Sequence, residues 1–278
     1  MTRLLPFHWH FVELLIIVAA GAGHWFFVAP ARQRRFAFYG LFAMAVVTLW
    51  PLGDLAASVS LSVATVQRLV IMLFVAPMLL LSTPTEVFSR ITKPTLVDAV
   101  TRRLAHPGMA LVSVTILGTL TITPAVVDWA SHGEVNRDLI LLAVLFVGFL
   151  LWIPGLALIP GTRRLSPLGR AGYIFASALA VTSLSFVWIF SKHSLYPSLH
   201  HQYALLHMSP LFDQQLAGFV AKFGCYIPMW TVAFIIFSRA EDQGVPVEET
   251  PLHWADVERE LLRLDRQRAR AVRHHRPS

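Results

Sequence analysis

The sequence has little charge for its length. Only 14% of its 278 residues are Asp, Glu, Lys or Arg, whereas 55% are hydrophobic and the mean hydropathy is +0.59. A soluble domain usually has about a quarter of its residues charged, because its exposed helix faces must be hydrated. The composition therefore indicates a protein whose surroundings are largely lipid.

The sequence also has a single cysteine, Cys225, which lies in an apolar run. One cysteine excludes a disulfide within the chain and a cysteine-rich metal site. Catalytic signatures are missing as well: there is no glycine-rich phosphate loop, no H-E-x-x-H helix and no serine nucleophile elbow. We therefore predict that the protein is not an enzyme.

Long apolar runs are what the sequence has in abundance. About seven of them approach the roughly 20 residues that a helix needs to cross a bilayer. They cover residues 8–28, 36–57, 64–83, 107–128, 139–159, 168–190 and 214–237. The first contains Glu13 and His24 and has no small-residue cleavage site, so we interpret it as a retained helix and not as a signal peptide. The expected fold is an all-α, polytopic membrane helix bundle.

The placement of Lys and Arg predicts the orientation of these helices, because cytoplasmic loops carry an excess of both. Arg-rich connections alternate with connections that hold one basic residue, and the tail is rich in Arg. The amino terminus is then outside and the carboxy terminus cytoplasmic. We predict a seven-helix transmembrane domain at 1–240 and a cytoplasmic tail with an amphipathic helix at 241–278. This topology accounts for the net charge of +7 without a nucleic-acid-binding surface.

Histidines gather on the predicted outer side of the membrane. Imidazole and thioether groups suit copper, and the candidate copper ligands are His132, His200, His201, His207 and Met208. Their spacing matches no metal motif, so ordinary solvated loop histidines are the alternative interpretation. Haem is not expected, because only His24 lies clearly inside a predicted span.

Charged residues within the predicted spans form a second group of interest, since they are costly to keep in a membrane. They lie at similar outer depth and are Glu13, Asp54, Arg68, Asp213 and Lys222. We expect acid–base pairing among them. Two interpretations stay open: ion pairs that join helices, and a functional polar cavity that opens to the outside.

Several motifs follow one another as they do in a known protein family. The strongest is the segment from Asp213 to Gly218, DQQLAG, at the start of the last predicted helix. Ala76-Pro77, His106-Pro107 and a Trp-Pro step at Trp152 and Pro154 precede it. Over roughly residues 36 to 240, the chain resembles the CtaG-type cytochrome c oxidase assembly proteins. The residues that match the family signature are Gln67, Pro77, Asp213, Gln214 and Gly218.

The resemblance implies a seven-helix fold, a role in haem–copper oxidase assembly and copper handling at the outer side. One departure is notable. The family's third helix usually begins H-M-x-Q-H, whereas the chain has Ala64 and Arg68 at the two imidazole positions and keeps only Gln67. His132 matches the first histidine of a second family pair, and the region of the other contains Asn136 and Arg137.

Two hypotheses follow from the residues and the resemblance. The first is an assembly factor in the bacterial inner membrane that delivers copper at its outer face to a membrane partner such as an oxidase subunit. The second is a metal-independent scaffold or accessory subunit of a larger membrane complex. A small-solute transporter is a third alternative, although the sequence shows no paired broken helices that would favour it.

Overall fold

A computed structural model of the chain describes residues 10–27, 31–58, 60–156, 158, 165–196 and 208–242. These residues form helices joined by short turns, and no β-strand occurs among them. In chain order the helices are α1 (Phe11–Phe27), α2 (Ala31–Thr48), α3 (Leu52–Ser58), α4 (Leu61–Val70), a π-helical turn (Ile71–Val75), α5 (Ala76–Ser82), α6 (Thr85–Ile91), α7 (Thr95–Leu104), α8 (Pro107–Leu120), α9 (Pro124–Ser131), α10 (Glu134–Leu156), α11 (Pro167–Val181), α12 (Ser185–Phe190) and α13 (Pro210–Asp242). The predicted all-α class is confirmed.

Four helical runs in this part of the chain are long and apolar enough to cross a membrane. They are Leu61–Ser82, Glu134–Leu156, Pro167–Phe190 and Pro210–Ala240. Helices α8 and α9 make a fifth if they form one span, although they meet at an angle of 56°. The predicted number of seven spans and the predicted orientation are not confirmed.

The two remaining predicted spans differ from these runs for physical reasons. Helix α1 is apolar but has only 17 residues, which at 1.5 Å per residue is shorter than a typical hydrocarbon core of about 30 Å. Helix α2 has 18 residues, but its first turns hold Arg32, Arg34 and Arg35. The apolar part of α2 is therefore shorter than the helix itself.

The main core surrounds the π-helical turn. Ile71, Val75 and Ala76 are fully buried there, against Val147 of α10 and Ala178 of α11. Many large apolar side chains instead face outward, among them Phe38 and Phe42 of α2 and Phe234 of α13. Such an apolar exterior is unusual for a soluble monomer and is typical of a surface that contacts lipid.

The chain divides by its internal contacts into Met1–Phe237 and Ser238–Ser278. The structure describes only residues 238–242 of the second unit. The predicted cytoplasmic tail helix lies outside the described residues, so the domain boundary at 240 stays a prediction.

Candidate functional site

The acidic residue of the DQQLAG segment lies at the N-terminus of another helix. The buried carboxylate of Asp213 accepts hydrogen bonds from Ser60 Oγ (2.8 Å), Leu61 N (2.6 Å) and Ser62 N (3.3 Å). The hydroxyl of Ser62 in turn donates to the backbone oxygen of Asp213. The first N–H groups of a helix have no partner within it, and the helix dipole favours an anion there. Asp213 therefore joins α13 to the start of α4.

The two glutamines of the segment hold the chain that precedes α13. Gln214 is buried; its Oε1 accepts from Leu195 N (2.7 Å), and its Nε2 donates to His193 O (3.4 Å). Gln215 Nε2 donates to Ser191 O at 3.3 Å. Backbone groups outside helices and sheets need such partners wherever water does not reach them. The segment 191–195 is thus fixed by the same signature that caps α4.

Tyr196, at the end of this segment, reaches the break between α8 and α9. Its hydroxyl donates to Ile122 O at 2.5 Å, and its ring packs edge-on against Trp188. Burial raises the pKa of Tyr196 to about 12, so the hydroxyl keeps the proton that it donates.

Gly218 permits the close approach of α12 to α13. A Cβ atom at this position would lie 2.8 Å from Ile189 Cγ1, 3.0 Å from Ser185 O and 3.1 Å from Trp188 Cβ. Only a residue without a side chain fits this spacing without movement of its neighbours. The last residue of the signature is therefore a packing residue.

Pro77 leaves a backbone acceptor that another helix satisfies. In the π-helical turn, Ala76 N donates to Ile71 O, five residues earlier. The next bond of that register would run from residue 77 to Met72 O, but proline has no N–H. Trp152 Nε1 donates to Met72 O at 3.1 Å instead. Trp152 and the pair Ala76-Pro77, which both belong to motifs shared with the family, thus take part in one contact between α10 and the π-helical turn.

Gln67, the remaining signature residue, also has a structural contact. Its side chain is buried, and Nε2 donates to Val47 O of α2 at 2.7 Å. The signature residues therefore bond or pack helices together.

Polar side chains of α1, of the residue before it, of α3 and of α10 form a cluster, which we call the His10 cluster: His10, Glu13, Asp54, Arg137 and Asp138. His10 Nδ1 lies 3.1 Å from Glu13 Oε1, and its Nε2 lies 3.4 Å from Asp54 Oδ1. Arg137 is 3.6 Å from Glu13 and 3.9 Å from Asp138. Three carboxylates thus surround one guanidinium and one imidazole, with side chains at most 21% exposed.

The five charged residues expected to pair do not form one group. Glu13 and Asp54 belong to the His10 cluster, and Asp213 caps α4. Lys222 instead lies 3.4 Å from the centre of the Phe186 ring and donates to Tyr226 Oη at 3.0 Å. Arg68 lines a cavity and has no carboxylate partner in the described part of the chain. Sequence spacing placed these residues at similar depth but could not tell which helix faces meet.

The candidate copper ligands are only partly described. His200, His201 and His207 lie outside the described residues, and Met208 is half-buried. His132 is exposed at the end of α9, where Nδ1 lies 2.7 Å from Asp128 O. No group of three or more His, Cys, Asp or Glu residues is placed to hold a metal ion in the part that the structure describes. Copper binding by these five residues stays a prediction.

The single intramembrane histidine of the sequence prediction has two partners. His24 Nε2 lies 2.9 Å from Ser82 Oγ of α5, and Nδ1 lies 3.0 Å from Ala20 O. His24 thus connects α1 with α5.

Comparison with known families places the chain in one of them. Residues 10–242 match the family described as cytochrome c oxidase caa3 assembly factor (Caa3_CtaG). The chain belongs to this family. No curated protein and no solved structure matched the chain. The match begins at His10 and ends with α13, so it includes the His10 cluster, the Asp213 cap and the Arg68 cavity of this caa3 assembly factor family member.

Sequence reasoning missed the partners within the His10 cluster. Glu13 and Asp54 were expected to pair with other charged residues of the predicted spans, whereas their partners in the structure include His10 and Arg137. The signal that was available is the pair Arg137-Asp138 near the start of a long apolar helix, since a charge pair there needs a buried partner or water.

Proposed function

We propose that this protein is an integral membrane assembly factor for a respiratory haem–copper oxidase. The family match carries this proposal, because the family is described as cytochrome c oxidase caa3 assembly factor. The four or five apolar helices support a location in the same membrane as the oxidase. The expected partner is an oxidase subunit, and the expected location is the bacterial inner membrane.

Deletion of the gene in its native host tests this function. We expect the assembled oxidase and its activity to fall, with recovery when the full chain is supplied again. Assembly would be measured by native electrophoresis of solubilised membranes and by haem spectra. An oxidase that assembles normally without the protein would overturn the proposal.

In the form of this proposal that includes copper, the protein delivers copper to the oxidase at the outer face of the membrane. Its candidate ligands are His200, His201, His207, Met208 and His132, because imidazole and thioether groups bind copper well. A variant with alanine at the three residues His200, His201 and His207 should lower the copper content of the oxidase, and added copper should restore it. Unchanged oxidase copper in this variant would contradict delivery by these side chains.

A metal-independent scaffold is the second candidate. The observation in its favour is that Asp213, Gln214, Gly218, Gln67 and Pro77 all make packing or backbone contacts. A scaffold predicts that the oxidase subunit co-purifies with the protein and that the purified protein contains no stoichiometric copper. Affinity purification with mass spectrometry and metal analysis on one sample separates the two candidates.

A further inference from the structure

A small cavity lies where three helical runs are irregular. Its volume is about 70 Å³, and its lining includes Met72 of the π-helical turn. Thr121 and Ile122 contribute from the break between α8 and α9, and Thr182 contributes from the gap between α11 and α12. Within a membrane, irregular backbone is tolerated where it is covered by protein or lines a cavity, and π-helical turns are frequent at functional sites. The cavity is therefore a candidate binding site.

One charged side chain, that of Arg68, lines this cavity. A cation within a membrane bundle is costly and usually pairs with an anion. The acidic residues before position 240 are Glu13, Asp54, Glu86, Asp98, Asp128, Glu134, Asp138 and Asp213. All of them are described, and none forms an ion pair with Arg68. Within the unit Met1–Phe237, no carboxylate of the chain neutralises this guanidinium.

The three hydroxyl groups of the lining already have acceptors. The hydroxyls of Thr65, Thr121 and Thr182 donate to the backbone oxygens of their own helical turns, at 2.7 to 2.8 Å. Leu69, Val147 and other apolar side chains form most of the remaining wall. A ligand that matches this surface has one negative group for Arg68 and is otherwise apolar.

We propose that the cavity binds the carboxylate head of a monocarboxylic acid on Arg68, with the first carbons of its apolar chain against the cavity wall. The planar guanidinium matches a carboxylate in a two-bond geometry. A single cation favours a monovalent anion over phosphate, whose further charge would stay unpaired. A buried water molecule needs about 10–15 Å³ of cavity volume. The cavity of about 70 Å³ therefore has room for a carboxylate and a few carbon atoms. The same chemistry is present in the head of a membrane fatty acid.

Binding of radiolabelled butanoate to the purified full-length protein tests this proposal. The protein would be held in non-ionic detergent with sulfate as the only other anion, and binding measured by scintillation proximity. We expect saturable binding that Arg68→Gln weakens at least about tenfold, because the charge-assisted bonds are lost. Arg68→Lys should give an intermediate loss, since it keeps the charge but not the two-bond geometry.

Two further variants separate binding from folding. Gly118→Val adds bulk beside Val147 inside the cavity and leaves Arg68 in place, because a Cβ at Gly118 would lie 3.7 Å from Val147 Cγ1. We expect it to abolish binding while size-exclusion elution stays that of the wild type. Arg102→Gln, at the Arg that pairs with Asp98 on α7, should bind as the wild type does.

The source of the carboxylate is tested with labelled palmitate in nanodiscs. Arg68-dependent binding of butanoate indicates a soluble acid, and Arg68-dependent binding of palmitate alone indicates a membrane fatty acid; both support the proposal. Absence of binding of both acids, or equal binding by Arg68→Gln, would overturn it. Tighter binding of chloride than of either acid would also overturn it, since the site would then be a halide site.

Discussion

The carboxylate of Asp213 lies 2.6 Å from the backbone nitrogen of Leu61. This bond joins the first turn of α13 to the first turn of α4, which are 152 residues apart in the chain. It explains why an aspartate opens the last helix of the signature: the residue caps a different helix from its own. The contact also fixes the position at which α4 begins. Arg68 lies further along the same helix.

Loss of this cap should destabilise the protein. Asp213→Asn keeps the size of the side chain but replaces one acceptor oxygen by a donor that faces N–H groups. Because the carboxylate serves three donors in a buried position, we expect a loss of about 2 kcal/mol. The measurement is the thermal unfolding midpoint in detergent, with tryptophan fluorescence as the signal.

Asp128→Asn is the matched control for this substitution, because Asp128 is exposed on α9. It should change the free energy of unfolding, obtained from the midpoint, by less than about 0.5 kcal/mol. An Asp213→Asn protein as stable as this control would show that the cap contributes nothing.

Two glycines should be sensitive to a single added methyl group. A Cβ at Gly148 would lie 2.6 Å from Ala76 Cβ and 3.0 Å from Met72 Cα, and one at Gly218 would lie 3.0 Å from Ser185 O. These neighbours are backbone or short side chains that cannot rotate away. We expect Gly148→Ala and Gly218→Ala each to cost about 1–3 kcal/mol of stability.

Gly172 provides the comparison, because a Cβ there would meet nothing within 4 Å. Gly172→Ala in α11 should be neutral or stabilising by up to about 1 kcal/mol, since alanine restricts the unfolded chain and favours helix. The same unfolding midpoint is measured for all three. Equal effects of the three substitutions would contradict the role of close packing.

The bond between Trp152 and Met72 should depend on Pro77. Trp152→Phe removes the donor and leaves a buried carbonyl without its partner, for which we expect a cost of about 1–3 kcal/mol. Pro77→Ala supplies an N–H that can reach Met72 O, so it should offset part of that loss in the double variant. The measurement is a double-mutant cycle on the unfolding midpoint.

Additive effects in this cycle would contradict the link between the two residues. Trp129→Phe is a suitable control for loss of a tryptophan, because Trp129 is 45% exposed on α9. It should change the midpoint much less than Trp152→Phe does.

The sequence predicted the helical class, the family and most of the long apolar helices, because each depends on local composition or on residues in order. It did not predict that α8 and α9 meet at 56° or that α11 and α12 are separated by a gap, since apolar residues continue through both breaks. It placed Asp213 and Lys222 at similar depth and predicted pairing among five charged residues, whereas in the structure Asp213 bonds the start of α4 and Lys222 lies against Phe186. Depth follows from position along a helix, whereas the choice of partner depends on which faces pack together.

The His10 cluster should respond to the balance of its charges. Arg137 is the guanidinium that approaches both Glu13 and Asp138, so Arg137→Gln leaves their carboxylates facing each other without it. The side chains are 12 to 21% exposed, and solvent screening reduces the cost below that of a fully buried pair, to about 1–3 kcal/mol. Adding Glu13→Gln to the same chain should restore part of the stability, because it removes one of the repelling charges. Arg102→Gln is the control, at an exposed pair with Asp98, and should cost less than about 1 kcal/mol. If the protein with both Arg137→Gln and Glu13→Gln were less stable than the one with Arg137→Gln alone, Glu13 would be held by His10 and not by Arg137.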